Sequence, residues 1–167
     1  MKMRFVLVCG LILSVVTSKA QTAFEEISAD PNKSASVYYA YPEISEQYTL
    51  PPEGYTPFYI SHYGRHGSRY LISDSEYQTV MEILDKADAV GFLTDKGKSV
   101  RSRLEVVWRD AEGLGGQLTP LGYRQHRSIS ERMFYNFPDV FKGKRKISAC
   151  STVVIRCALS MATFCET

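Results

Sequence analysis

The residues best suited to chemistry in this sequence form one short run, Arg65-His66-Gly67-Ser68-Arg69, in which a histidine stands between two arginines. Arginine carries a planar, permanently charged group that matches the oxygens of a phosphate, and histidine is able to form covalent intermediates. An imidazole held between two such charges is suited to attack an anionic phosphorus centre. The run therefore predicts phosphoryl transfer through a phosphohistidine at His66.

A solvated basic turn is the alternative interpretation of this run, because charged side chains usually lie on the surface. Three features favour the chemical interpretation. The run follows the apolar segment 57–60, and ligands of open α/β sheets bind where strands end. Gly64 and Gly67 bracket the charged pair and allow unusual backbone angles and the close approach of a ligand. Residues 73–76 then begin a helical pattern, whose first backbone N–H groups are suited to an anion.

The first 20 residues have the features of a secretory signal peptide, with a short basic start and an apolar run over residues 5–16. Ser18 and Ala20 supply small residues before a predicted cleavage after Ala20. The apolar run is too short to cross a bilayer, so we expect an exported chain, periplasmic or extracellular, with no membrane contact after cleavage. The net charge of +2 is too small to indicate a nucleic-acid partner.

The rest of the chain divides into a polar segment, residues 21–56, predicted as an extended N-terminal arm, and a folded region, residues 57–167. Apolar patterns predict strands over 58–63 and 146–151. Helical spacing predicts helices over 74–90, 94–112 and 119–135, and a last helix capped by Ser151 or Thr152. Strands separated by helices predict an α/β fold with a parallel component.

Four segments, in this order along the chain, resemble the histidine acid phosphatases. Residues 65–69 resemble the RHGxR signature of that family, and residues 58–64 resemble the strand that leads into it. Residues 117–126 resemble its LTPLG…QH helix start, and residues 151–160 resemble the segment that supplies a third phosphate-binding arginine. Within the family, the segments RHGSRY and STVVIRCALSM are most similar to those of the multiple inositol-polyphosphate phosphatases, an exported, phytase-like branch.

The resemblance implies a phosphoglycerate-mutase-like, three-layer α/β/α sandwich and a phosphomonoesterase that acts on esters such as inositol polyphosphates. It implies that His66 is the nucleophile and that Arg65, Arg69 and Arg156 bind the phosphate oxygens. No CxxC or histidine-rich metal spacing occurs in the sequence, so we expect no metal and no cofactor. The position of Arg156 supports its assignment separately, because it follows a predicted strand in the same way as the His66 loop.

The sequence departs from the family at the proton donor, an HD or HAE motif near the family's C-terminus. The only histidines are His62, His66 and His126, and nothing after Arg156 resembles that motif. Full members are more than twice as long, so the chain is interpreted as an N-terminal fragment that lacks the C-terminal part and most of the helical cap domain. We interpret His62 and His126 as packing residues.

The sequence is also compatible with two other functions. One is a non-catalytic remnant that only binds phosphate or another anion. The other is a sugar-phosphate phosphatase of the same family.

Overall fold

The computed structural model describes residues 22–44 and 48–167. The chain divides into two compact units, the first ending at Tyr39 and the second running from Ala40 to Thr167. The predicted signal peptide, residues 1–20, lies outside the described residues. Within the described ranges, no helix combines the length and the apolar character needed to cross a membrane.

The first unit contains helix α1 (Ala23–Ala29) and a 3₁₀ helix (Pro31–Tyr38), where the sequence predicts an extended arm. A capping box begins α1: the Thr22 hydroxyl accepts from the Glu25 N–H at 3.3 Å, and the Glu25 carboxylate accepts from the Thr22 N–H at 3.0 Å. The Asp30 carboxylate then accepts from the Asn32 N–H at 3.1 Å at the start of the 3₁₀ helix. These caps satisfy N–H groups that have no partner inside a helix, so two short helices form in a polar segment.

The described part of the second unit contains five helices: α2 (Ser75–Ala89), α3 (Asp95–Ala111), α4 (Pro120–Asn136), α5 (Pro138–Phe141) and α6 (Ile155–Cys165). Helix α2 packs against α3, and α4 packs against α5 and α6. The predicted helices over 74–90, 94–112 and 119–135 are confirmed. The threonine caps are confirmed too, since the hydroxyls of Thr94 and Thr119 accept from N–H groups three residues later. The predicted cap of the last helix is wrong, because the N-cap of α6 is Val154, two to three residues after the predicted positions, and its side chain caps no N–H group.

The predicted α/β/α sandwich is wrong, because residues 22–44 and 48–167 form helices and loops, with no strand and no sheet. Residues 58–63 and 146–151 are irregular and largely exposed; Phe58 is 82% exposed, Tyr59 72% and Ile147 72%. A strand is stable only when its backbone pairs with a neighbour, and these segments have none within the described ranges. The apolar residues of these two segments predicted strands, but their pattern does not specify a neighbouring segment with which the backbone would pair.

One short backbone pairing does form, between residues 68–71 and 116–119. Arg69 and Leu118 make an isolated antiparallel bridge. On either side of it, the Thr119 N–H donates to the Ser68 carbonyl at 2.9 Å and the Tyr70 N–H donates to the Gln117 carbonyl at 3.0 Å. This pairing joins the Arg-His-Gly segment to the start of α4. The most buried residues of the unit include Leu118 and polar residues of α4 and α6, so part of the core lies beside the His66 loop.

Candidate functional site

The loop that carries His66 is fastened to α6 through the residue that follows it. The buried N–H of Gly67 donates to the Ser160 hydroxyl at 3.1 Å, and that hydroxyl donates to the Arg156 carbonyl at 2.8 Å. Ser160 is only 2% exposed, so both bonds are shielded from water. The helix that carries Arg156 is therefore in direct contact with the loop that carries His66.

The same loop is fastened to α4 through Ser68. The Gln125 side chain accepts from the Ser68 N–H at 2.8 Å and donates to the Ser68 hydroxyl at 3.0 Å. The Ser68 carbonyl accepts from both the N–H and the hydroxyl of Thr119, each at 2.9 Å. All the backbone and side-chain polar groups of Ser68 are therefore held by α4 or its cap, which fixes the backbone two residues after His66.

Gly67 allows the loop to lie directly on the backbone of α4. A methyl group at this position would lie 2.5 Å from the Gly122 carbonyl oxygen and 2.6 Å from the Gly122 Cα. Such distances are shorter than van der Waals contact, and the atoms in the way are backbone atoms. A glycine is therefore required at position 67 because the backbone of α4 lies so close to it.

Substitution of Gln125 by leucine is expected to destabilise the protein by about 1–3 kcal/mol, because it leaves the Ser68 N–H without its partner in a shielded place. Urea unfolding of the purified variant measures this change. The matched control is Gln78→Leu on α2, an exposed glutamine with no side-chain hydrogen bond among the described residues. We expect that control to change the free energy of unfolding by no more than about 0.5 kcal/mol. Equal losses at both positions would contradict the role given to Gln125.

His66 is half-buried, and one of its ring nitrogens has a defined partner. Nδ1 lies 2.7 Å from the carbonyl oxygen of Gly67. A carbonyl oxygen only accepts hydrogen bonds, so Nδ1 carries the proton in this arrangement. In the neutral ring, Nε2 then holds the free lone pair. The Gly67 carbonyl thus selects the tautomer in which Nε2 is able to act as a nucleophile or a base.

The three arginines named from the sequence have different surroundings. The exposed Arg65 places its guanidinium carbon 5.3 Å from the ring centroid of Tyr41. The part-buried Arg69 donates from Nη1 to the Tyr70 carbonyl at 2.8 Å. The part-buried Arg156 donates from Nη1 to the Gly116 carbonyl across 3.5 Å, at the limit for a hydrogen bond. The Arg69 and Arg156 side chains are thus both anchored beside the 68–71 and 116–119 pairing.

Arg156 lies on a helix that packs into the core, yet its charged side chain makes only weak polar contacts with the described residues. It forms no ion pair with a carboxylate in the described part of the chain. Its Nε is buried and has no hydrogen-bond partner there. Buried polar groups are usually satisfied, and the Nε of Arg132 on α4 is also buried without a partner among the described residues.

His126 on α4 is 4% exposed, and within the described ranges neither of its ring nitrogens has a hydrogen-bond partner. Its ring meets the Tyr41 ring edge to face, with 5.8 Å between centroids. Burial lowers the pKa of His126, and the charges of His62 and His66 lower it further. The Arg65 carbonyl lies near the ring and offsets part of this shift, although it is not aligned for a hydrogen bond. His126 is therefore placed as a neutral packing residue beneath the loop.

The lowered pKa of His126 makes stability depend on pH in a defined direction. An unfolded histidine titrates near pH 6.5, so below that pH the unfolded chain takes up a proton more readily than the folded one. We expect this contribution to stability to be lost as the pH falls from about 7 towards the lower pKa of the folded protein. Urea unfolding measured from pH 8 to pH 5 should show a smaller decrease in the free energy of unfolding for His126→Phe than for the original protein. Identical pH dependence in the two proteins would contradict this.

Sequence patterns alone did not indicate the roles of Tyr41, Gln125 and Ser160. Tyr41 lies 24 residues before the carbonyl that it binds, so no local spacing reveals it. Ser160 follows Arg156 by one helical turn, and this spacing places the two on one face of α6. This four-residue spacing is the sequence feature from which a role for Ser160 beside Arg156 could have been predicted. The predicted site residues His66 and Arg156 are connected in the structure through Gly67 and Ser160.

In the described residues, no group of three or more histidine, cysteine, aspartate or glutamate side chains is arranged to hold a metal ion. In comparisons with known proteins, no family model matches the sequence and no curated protein matches it significantly.

Proposed function

We propose that this protein is an exported phosphomonoesterase of the histidine acid phosphatase type, which hydrolyses phosphate esters through a phosphohistidine intermediate. The observation that carries the proposal is the contact between His66 Nδ1 and the Gly67 carbonyl. It leaves Nε2 of the neutral ring as the nucleophile, in a loop whose two following residues are held by α4 and α6. A nucleophile is effective when its lone pair and its orientation are set before the substrate arrives.

The reaction has two steps. In the first, Nε2 of His66 attacks the phosphorus atom, an N–P bond forms, and the bond between phosphorus and the ester oxygen breaks. The electron pair leaves with the ester oxygen, which takes up a proton from solvent water to become an alcohol. In the second step, water attacks phosphorus and loses one proton to solvent, the electron pair of the N–P bond returns to Nε2, and inorganic phosphate is released with His66 restored.

Arg65, Arg69 and Arg156 are proposed to bind the nonbridging phosphate oxygens. Their fixed positive charges stabilise the charge that spreads over these oxygens in the transition state. Arg156 is the best supported of the three, because its helix contacts the His66 loop and its guanidinium has weak protein partners.

The proposed substrates are phosphorylated small molecules, inositol polyphosphates foremost and other phosphomonoesters next. The proposal follows the similarity of the residues 65–70 and 151–161 to the phytase-like branch. No HD or HAE motif occurs in the 167 residues, so no residue is assigned as donor of the proton to the leaving oxygen. For these 167 residues by themselves, we therefore propose esters of acidic alcohols as the better substrates.

The second candidate is a protein that binds phosphate or another anion without turnover, and the absence of an assigned proton donor favours it. The two candidates are separated by measuring p-nitrophenyl phosphate hydrolysis and the Tm with and without inorganic phosphate. A phosphatase releases p-nitrophenol catalytically. An anion-binding protein is stabilised by phosphate and shows no hydrolysis. A protein that phosphate does not stabilise and that hydrolyses no p-nitrophenyl phosphate would overturn both candidates.

A further inference from the structure

Tyr41 contacts Arg65 through both the backbone and the side chain of that residue. The Tyr41 hydroxyl donates to the Arg65 carbonyl at 2.6 Å. The Tyr41 ring lies under the Arg65 guanidinium, with 5.3 Å between the guanidinium carbon and the ring centroid. A cation over the face of an aromatic ring is attracted by the ring's negative face. Arg65 is therefore held at two points by one side chain.

The Tyr41 ring also contacts the buried ring of His126. The two ring centroids lie 5.8 Å apart and the ring planes cross at 74°, an edge-to-face contact. His126 is 4% exposed and sits on α4, the helix that also fixes Ser68. A continuous series of contacts thus runs from the buried face of α4 through Tyr41 to the exposed Arg65.

We propose that Tyr41 is a positioning residue for phosphate binding, which holds the Arg65 guanidinium in the orientation that meets the phosphate at His66. The proposal rests on the proposed function. An exposed arginine samples many rotamers, and ordering it on binding weakens affinity. Stacking on Tyr41 restricts those rotamers before the ligand arrives. The hydrogen bond to the Arg65 carbonyl fixes the backbone directly before the nucleophile.

The test uses the affinity for inorganic phosphate, measured by competition with p-nitrophenyl phosphate and by direct titration calorimetry. Tyr41→Leu removes both contacts, and we expect it to weaken phosphate binding by about three- to tenfold. Tyr41→Phe keeps the ring and removes the hydroxyl, so we expect it to weaken binding by a smaller factor. Tyr55→Leu is the matched control, because Tyr55 is 73% exposed, and we expect no change in affinity.

A double-mutant cycle with Arg65→Ala distinguishes positioning from general support of the fold. If Tyr41 acts through Arg65, Tyr41→Leu adds little to the loss already caused by Arg65→Ala. The same factor of weakening in both backgrounds would overturn the positioning role. The Tm of each variant is measured, and Tyr41→Phe still reports on the hydroxyl if the leucine variant does not fold.

The failure of this proposal is distinct from the failure of the proposed function. An original protein that binds no phosphate overturns the function and the positioning role together. An original protein that binds phosphate and depends on Arg65, with unchanged affinity in Tyr41→Leu, overturns the positioning role alone.

Discussion

Substitution of His66 by asparagine is expected to lower kcat for p-nitrophenyl phosphate by about 10³-fold or more, because the amide has no nucleophilic nitrogen to take the phosphoryl group. Asparagine is chosen because its amide is able to donate to the Gly67 carbonyl, which His66 contacts through Nδ1. The loop is then expected to keep its conformation. Steady-state kinetics with the purified variant measures the change.

The matched control for this variant is His62→Asn. His62 is exposed and stacks on Phe164, with 4.9 Å between ring centroids. It lies four residues before His66 and has no part in the proposed chemistry, so we expect near-normal turnover. Phosphate binding should survive in His66→Asn, since the three arginines remain. Equal losses of turnover in both variants, or full turnover in His66→Asn, would contradict the assignment of His66.

A strong dependence on the leaving group is the second large effect expected. General acid catalysis is typically worth about 10²–10⁴-fold, and none of the three histidines in the chain occupies an HD or HAE motif. A phenolate leaves without a proton more easily than an inositol alkoxide. We therefore expect kcat/KM for p-nitrophenyl phosphate to exceed that for inositol hexakisphosphate by about 10²–10⁴-fold.

A series of aryl phosphates separates this explanation from a difference in binding. Members of the series have similar shapes and differ in the acidity of the phenol that leaves. Without a proton donor, the rate of the chemical step should fall steadily as the phenol becomes less acidic. A flat dependence, or rapid hydrolysis of inositol hexakisphosphate, would show that a residue of this chain protonates the leaving oxygen.

The helices could be predicted from the sequence because their signals are local. Thr94 and Thr119 each cap a helix by accepting a bond from an N–H three residues later. Pro120 at the first helical position strengthens the second of these signals. Helices α2 and α3 then pack against each other, with 5.9 Å between the ring centroids of Tyr77 and Trp108.

The fold class could not be predicted, because a sheet depends on pairing between distant segments. The run containing Phe58 and Tyr59 has the composition of a strand, yet in the described structure both side chains are mainly exposed. What forms instead is the pairing of residues 68–71 with 116–119. Its residues are mostly polar or small, so neither segment has the alternating apolar pattern that predicts a strand.

The candidate site was predictable in part. His66 and Arg156 could be named because their residue types suit phosphate chemistry, and a hydrogen-bonded path through Ser160 joins their segments. Tyr41 could not be named, since its contacts with Arg65 and His126 bridge segments far apart in the sequence. Side chains that support a site in this way are identified from their contacts, which are known only once the folded structure is known.

Trapping the covalent intermediate tests the central claim most directly. The protein is mixed with a phosphate ester labelled on phosphorus and quenched in alkali, which preserves phosphohistidine, and the labelled peptide is sequenced. We expect acid-labile label on the peptide that contains His66, and no label in His66→Asn. Label retained by His66→Asn, or steady turnover without any alkali-stable label, would contradict a phosphohistidine mechanism at this residue.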